Sequence, residues 1–319
     1  MRALITGGAG FIGSHLADLL LSRGHSVIAL DNLSTGQHRN IEHLLGRTDF
    51  EFVLGSILNA DLVDDCVSRS DVVFHLAAAV GVNLIVEKPL ESLATNIRGS
   101  EIVFEKAHKF GAKVLVTSTS EIYGKNTSDR LGEEDDRILG SPLKSRWSYS
   151  EAKAIEEILA YTYYRQKGLS TYIVRLFNTV GPRQTGHYGM VIPRFVSQAI
   201  RGEAVTVYGD GAQTRCFCYV GDVVGALLDL VEHPEAVGRV FNIGGTQEIS
   251  MDALAHRVIE LAGSDSKVRY VPYAEAYEEG FEDMQRRVPD TTRAHDLIGF
   301  APSADLDTII NMVVEYHRA

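Results

Sequence analysis

The chain has 319 residues, with 31 Lys and Arg against 42 Asp and Glu, for a formal net charge of −11. That balance excludes a general nucleic-acid binder, whose phosphate-facing surface must be basic, and an anionic small substrate would need a local cluster of arginines. Hydrophobic residues make up 45% and mean hydropathy is −0.03; no apolar run is long enough to span a membrane, and a first strand at Arg2 leaves no room for a signal peptide, so cytoplasmic residence is expected. The three cysteines, Cys66, Cys216 and Cys218, have neither metal-ligand spacing nor a disulfide framework; no metal is expected.

Taken in chain order, apolar runs predict strands at Ala3–Thr6, Ser26–Leu30, Phe50–Val53, Val72–Leu76, Lys113–Thr117 and Thr171–Arg175. Helical patterns separate them, which is the rhythm of a doubly wound parallel sheet in an α/β fold. Between the first strand and the first helix stands Gly7-Gly8-Ala9-Gly10-Phe11-Ile12-Gly13. Its glycines permit a tight turn, close approach of backbone to a pyrophosphate, and packing of helix on strand. The helix N-terminus behind them presents unpaired N–H groups to the phosphates. The second strand ends in Asp31, placed to accept from an adenosine ribose and to repel a 2′-phosphate, so NAD is favoured over NADP. The polar turn Asn32-Leu33-Ser34-Thr35-Gly36 suits the same ribose.

Two helices, near Leu93–Phe110 and Ser150–Lys167, carry surfaces that could pair across a dimer, although core packing explains them equally well. Glu133-Glu134-Asp135-Asp136 reads as a solvated loop. After Arg175, glycine and proline punctuation takes over at Gly181-Pro182, Gly186, Gly189 and Pro193. A helix at Val191–Arg201 and a strand and turn at Thr206–Gly211 follow. The expectation is a Rossmann domain over residues 1–175 and a smaller substrate-binding lobe over 176–319, with a segment near 216–244 returning to the first domain. The crevice between them is the natural substrate site.

Tyr149 and Lys153 lie one helical turn apart on one face. A free tyrosine ionises near pH 10, and a neighbouring ammonium, with the positive ring of an oxidised nicotinamide, would favour the phenolate needed of a base. Strand five runs into Thr117-Ser118-Thr119-Ser120-Glu121, whose hydroxyls can hold a reacting oxygen beside Tyr149.

These segments together resemble an extended short-chain dehydrogenase/reductase acting on nucleotide sugars. The resemblance covers essentially the whole chain and rests on Thr6-Gly7-Gly8-Ala9-Gly10-Phe11-Ile12-Gly13, His75-Leu76-Ala77-Ala78, Tyr149-x-x-x-Lys153, Phe177-Asn178-Thr179-Val180-Gly181-Pro182-Arg183 and Gln213-Thr214-Arg215. Thr119-Ser120-Glu121 is similar to the Thr-Ser-Glu of GDP-mannose 4,6-dehydratases and UDP-glucuronate decarboxylases. Arg146-Trp147-Ser148-Tyr149-Ser150 and Arg287-Val288-Pro289-Asp290 resemble the decarboxylases. The stretch between Arg183 and Pro193 departs from their pattern.

The resemblance implies NAD as cofactor, held by Gly7, Gly10, Phe11, Ile12, Gly13, Asp31, Asn32, Ser34, Thr35, Gly36, Ser56, Ile57, Leu76, Ala77, Ala78, Thr117, Tyr149, Lys153 and Thr179. Ser56 stands where many relatives carry an Asp. It implies a UDP-glucuronate substrate held by Asn178, Arg183, Tyr208, Gln213, Arg215 and Arg287, and a homodimer. The implied chemistry is a carboxy-lyase reaction with catalytic Thr119, Ser120, Glu121, Tyr149, Lys153 and Arg287. Tyr149 would take the C4 hydroxyl proton as hydride passes to NAD, and the resulting β-keto acid would lose carbon dioxide. Hydride return would then give UDP-xylose; without it the 4-keto pentose would leave. Two other nucleotide-sugar readings stay open, a 4,6-dehydratase with Glu121 as C5 base and a 4-epimerase, beside a non-catalytic NAD-binding protein. The alternative for Arg287 is a surface salt-bridge residue.

Overall fold

Strand-forming runs that are apolar on both faces must be covered on both faces, and that requirement sets the architecture. The computed structural model describes residues 1–78, 89–144, 147–186, 190–276 and 284–318. Arg146, His187, Tyr188 and residues 277–283 of the acidic stretch lie outside the described residues. Six strands form in order, β1 (Arg2–Thr6), β2 (Ser26–Asp31), β3 (Phe50–Leu54), β4 (Val72–His75), β5 (Lys113–Thr119) and β6 (Thr171–Leu176). They lie side by side as β3-β2-β1-β4-β5-β6, with the strand Val240–Ile243 added in parallel to β6.

Successive residues of β1 serve opposite faces. Ala3 and Ile5 join one core with Leu16 and Leu20 of helix α1 (Phe11–Ser22) and with Val223 and Leu227 of the helix Val220–Glu232. Leu4 joins the other core with Val63 of helix α2 (Ala60–Ser68), Phe104 of the helix Gly99–Phe110 and Ala160 of the helix Ser148–Lys167. The strand order reverses between β1 and β4, and a crevice opens there at the carboxyl ends of the strands. A π-helical turn, Ala94–Arg98, precedes the Gly99–Phe110 helix beside that crevice.

A further core stands beyond the crevice. It gathers Phe195, Val205, Val207, Leu254, Val258, Ile310 and Val313 from the helices Val191–Ile200, Met251–Leu261 and Leu306–Arg318 and the strand Val205–Tyr208. That strand pairs in parallel with Val268–Val271.

One expectation is overturned here. Glu133, read as part of a solvated loop, has a side chain only 6% exposed. Its carboxylate accepts from Asn242 N–H at 2.9 Å, and its carbonyl accepts from Arg175 at 2.9 Å. Arg175 is itself buried and doubly bonded to Glu157, at 2.9 and 2.7 Å, and it donates to Tyr123 Oη at 2.9 Å. A charge run cannot reveal that one of its members covers a buried arginine. Glu134, 82% exposed in its pair with Arg293, keeps the expected character.

Under the crevice, β1 and β4 meet through a closed chain of hydrogen bonds. Ala77 N–H donates to Thr6 Oγ1 (3.2 Å), Thr6 Oγ1 lies 2.8 Å from His75 Nδ1, His75 Nε2 lies 2.9 Å from Ser100 Oγ, and Ser100 donates to Asn96 O. Each group has its partner when His75 is neutral and protonated on Nε2. Burial pushes its pKa down from 6.5 to about 3, with the Lys153 charge adding to the effect. Because the folded pKa lies below the unfolded one, this contribution is full above pH 6.5 and is lost as pH falls toward 3, up to about 5 kcal/mol. A His75→Asn variant is therefore expected to melt with a shallower dependence on pH between 6.5 and 4.5 than the parent chain, as read by circular dichroism.

Candidate active site

At the cofactor end, Gly7 adopts φ +74° and its N–H donates to Leu30 O at 2.8 Å. A Cβ at Gly13 would stand 2.2 Å from Gly7 O, so any side chain there would pry the turn from α1. No side chain caps the start of α1 at Gly10, which leaves the first-turn amides and the positive helix end open to an anion. Asp31 accepts from Ala9 N–H at 2.9 Å and Leu33 N–H at 2.7 Å. Each oxygen retains a lone pair for a ribose hydroxyl. Burial pushes the Asp31 carboxyl up, and these amides pull it back. The turn of residues 33–36 closes over the carboxylate because Gly36 has no Cβ; one would meet Asp31 Oδ2 at 2.7 Å. Leu33 takes φ +57° in the same turn.

At the reaction end, β5 carries Thr117 and Thr119 to the crevice, and a short turn, Ser120–Tyr123, follows. Thr119 Oγ1 accepts from Glu121 N–H at 3.2 Å, and Ser150 Oγ donates to Glu121 O at 2.9 Å. The turn and the Ser148–Lys167 helix are thus fixed to each other. Arg287 Nη1 donates to Glu121 Oε1 at 2.6 Å and reaches Ser120 Oγ at 3.4 Å. These two charged side chains are only 11% and 15% exposed. Arg287 is therefore no surface salt-bridge residue, and its Nε–H has no partner among the described residues.

Lys153, 2% exposed, donates to Thr117 O and to Glu156 Oε2, each at 2.9 Å. Burial pushes the Tyr149 phenol well above its ordinary value, with Glu156 and Glu121 adding to it. Lys153, expected from its spacing to act on Tyr149, has a second partner for its charge in Glu156.

One cavity of about 610 Å³ joins both ends, a size suited to a cofactor and substrate. Of the residues singled out from the sequence, it is lined by all but two. Gly36 acts from behind Asp31, and Arg183 lies outside. Arg183, assigned to the substrate, instead takes φ +68° and pairs with Asp18 of α1 at 2.8 Å, while His15 Nε2 lies 2.9 Å from Pro182 O. The Gly-Pro turn aims it toward α1.

Toward the far end, Arg215 donates to Thr214 O at 2.8 Å and Gln213 to Tyr208 O at 3.1 Å. Arg194, which sequence reasoning missed, lies over the Tyr208 ring at 4.2 Å and lines the same cavity. Its only signal was a single cation inside the apolar run Val191-Ile192-Pro193-Arg194-Phe195-Val196. Ser118, Thr179 and Gln184 line the cavity, and their buried Oγ, Oγ1 and Oε1 atoms have no partner among the described residues. Cys216 and Cys218 are buried, and burial pushes each thiol up to about 12, which disfavours the thiolate. No cluster of metal-ligating side chains exists among the described residues, and no helix among them is long and apolar enough to cross a membrane.

Residues 3–244 match the NAD dependent epimerase/dehydratase family. The chain belongs to that family. It is 42% identical over 318 residues to a UDP-N-acetyl-alpha-D-glucosaminuronate decarboxylase of Bacillus cytotoxicus, covering 99% of this chain and 98% of that one. UDP-glucuronic acid decarboxylase 1 of Xenopus tropicalis is 36% identical over 319 residues, which cover 99% of this chain and 72% of the relative. The solved UDP-glucose 4-epimerase of Thermotoga maritima, with UDP-glucose, superposes with a TM-score of 0.90 at 33% identity, covering 100% of this chain and 99% of that one.

As in the family's name, the cofactor is NAD, and the turn fits it: a glycine cradle that any Cβ would fill, an uncapped helix start and a buried carboxylate at the end of β2. An Asp31→Asn variant is expected to raise the NAD dissociation constant about ten- to a hundredfold, the worth of one or two hydrogen bonds to a charged acceptor. The preference for NAD over NADP should narrow at the same time. Calorimetric titration with both dinucleotides checks this.

Proposed function

We propose that the chain removes carbon dioxide from a UDP-linked hexuronate, with UDP-glucuronate as the first candidate. The observation that carries this reading is the buried Arg287–Glu121 pair at 2.6 Å beside Ser120. A guanidinium in a cavity that also holds Tyr149 suits the C6 carboxylate of a uronate; a neutral hexose has no use for it. The relative at 42% identity supports a second candidate in which C2 bears an acetamido group.

In this reading Tyr149 removes the proton of the C4 hydroxyl, and Thr119 donates to the same oxygen. Bound NAD would supply the acceptor for the C4 hydride and the donor for its return. Arg287 orients the carboxylate, which lies β to the new ketone and so leaves readily as carbon dioxide. Thr119 and Tyr149 then face the enolate oxygen, and Glu121 with Ser120 stand where C5 is reprotonated. Arg215 and Arg194 suit the diphosphate by their charge and fork geometry. The protein acts as a cytoplasmic homodimer, which the exposed Ile155, Ile158 and Tyr161 on the Ser148–Lys167 helix support.

Incubation with NAD and each UDP-uronate, followed by product mass and nicotinamide absorbance, tests the proposal. A UDP-pentose is the expected product. A ketopentose with lasting reduced cofactor would show release before reduction. An isobaric product would overturn the reading in favour of a 4-epimerase, and water loss from a neutral nucleotide sugar in favour of a dehydratase.

A further inference from the structure

Beneath Tyr149 lies an acid that this reaction scheme does not use. Lys153 is followed by two glutamates, and the helix sends them to different places. Glu157 takes both sides of the buried Arg175. Glu156, one turn beyond Lys153, turns inward to 1% exposure and receives its ammonium at 2.9 Å. Buried glutamates are rare unless paired, and this one is paired with the group that serves the base. Its other oxygen, Oε1, has no hydrogen-bond partner among the described residues. Ser100, nearby, gives its proton to Asn96 O, and neutral His75 has its Nε2 on Ser100.

We propose that Glu156 is a positioning residue: by sharing the charge of Lys153 it sets the pH at which Tyr149 can act as base. The inference rests on the reading of Tyr149 as that base. A lone buried ammonium one helical turn from a phenol would strongly favour the phenolate. With a carboxylate 2.9 Å away, the phenol meets a dipole instead of a charge, and a dipole's field falls off more steeply. Burial pushes the Glu156 carboxyl up, and Lys153 and then Ser100 pull it back. The remaining charges around Tyr149 are also paired or neutral. Glu121, from the turn after β5, is held by Arg287. His75, from β4, is neutral. Glu157, on the same helix, is held by Arg175 from β6, and Glu91, from the helix Pro89–Leu93, lines the same cavity and has an interaction of its own.

The geometry of the donors points the same way. Two N–H groups of Lys153 are committed, to Thr117 O and Glu156 Oε2, which fixes the ammonium and leaves one to face the cavity. Glu156 thus orients Lys153 and moderates it in a single contact.

The test is the ionisation of Tyr149 in the NAD-loaded protein, read as phenolate absorbance. The Tyr149→Phe protein serves as the blank for the other residues among its 13 tyrosines. In Glu156→Gln the amide oxygen still accepts from Lys153 but carries no charge. Tyr149 is then expected to ionise at a pH lower by about one unit or more, the worth of one unscreened charge at this range. Glu156→Ser, with room for a water beside Lys153, is the second charge-free variant should the first fail to fold. Glu156→Asp, which keeps the charge, should stay close to the parent. In turnover the acidic limb of kcat shifts by the same amount, with KM little changed. Ionisation at an unchanged or higher pH in the charge-free variants overturns the proposal, whatever the activity. Absence of turnover with either UDP-uronate in the parent chain speaks against the proposed function alone, since the absorbance titration still decides the role of Glu156.

Discussion

Replacing Tyr149 with Phe is expected to lower turnover of a UDP-uronate about a thousandfold, the usual worth of a positioned general base, while NAD binding and the melting temperature hold. The phenylalanine ring fills the same volume at the start of the Ser148–Lys167 helix, so only the phenolic oxygen leaves. No neighbour can take over its proton transfer. Thr119 Oγ1 is an ordinary hydroxyl that accepts from Glu121 N–H, Lys153 donates to Thr117 O and Glu156 and offers no acceptor, and Glu121 is bound to Arg287. Single-turnover measurement of nicotinamide absorbance separates this from a binding defect, because hydride leaves C4 only if the hydroxyl proton has somewhere to go. Activity within tenfold of the parent chain would mean that another group is the base.

The half of the molecule that forms the cofactor crevice could be read from the residues because it is built from local signals. Each strand there is a continuous apolar run, and the glycine turn states its own geometry. The ends of the strands shifted by a residue or two. Composition predicts an end to β5 at Thr117, but the strand continues to Thr119, because Ser118 and Thr119 pair with Arg175 and Leu176 of β6, a partner that a strand's own composition does not show. Beyond residue 176 the signals become non-local. The strands Thr214–Cys216 and Cys218–Tyr219 are three and two residues long, too short for any period, and they exist through partners at Glu248–Ser250 and Thr179–Val180. The strand Val268–Val271 leaves Tyr270 50% exposed, so its burial pattern is no guide.

Within the site, the visible residues were those with a motif around them. Arg194 and Glu156 sit in helices whose composition is ordinary. Lys153 and Glu156 are spaced for contact, but nothing local distinguishes a buried i,i+3 pair from a solvated one. Arg183 shows the opposite failure: its Phe177–Arg183 motif is intact, yet the turn directs the side chain to Asp18.

Loss of Arg287 is expected to cost about a hundred- to a thousandfold in kcat/KM for UDP-glucuronate, the worth of a charge-assisted, bidentate contact to a carboxylate. Part of that cost is the stranding of Glu121, so Arg287→Met alone does not isolate the contact with the substrate carboxylate. Combining it with Glu121→Gln does, since the double variant strands no charge and any remaining loss belongs to the substrate. The two changes should be non-additive by about 2 kcal/mol, given the direct contact between the residues. Arg287→Lys should recover little, because an ammonium cannot reproduce a guanidinium fork. The deciding control is a neutral ligand: binding of UDP-glucose should be nearly indifferent to Arg287→Met. The structure also offers a purely architectural alternative, in which the segment beside Arg287 stitches Leu131 N–H to Val288 O at 2.8 Å and the arginine merely pins the Ser120–Tyr123 turn. In that case UDP-glucose and UDP-glucuronate would weaken equally, and the assignment of a uronate to this site would fall with the result.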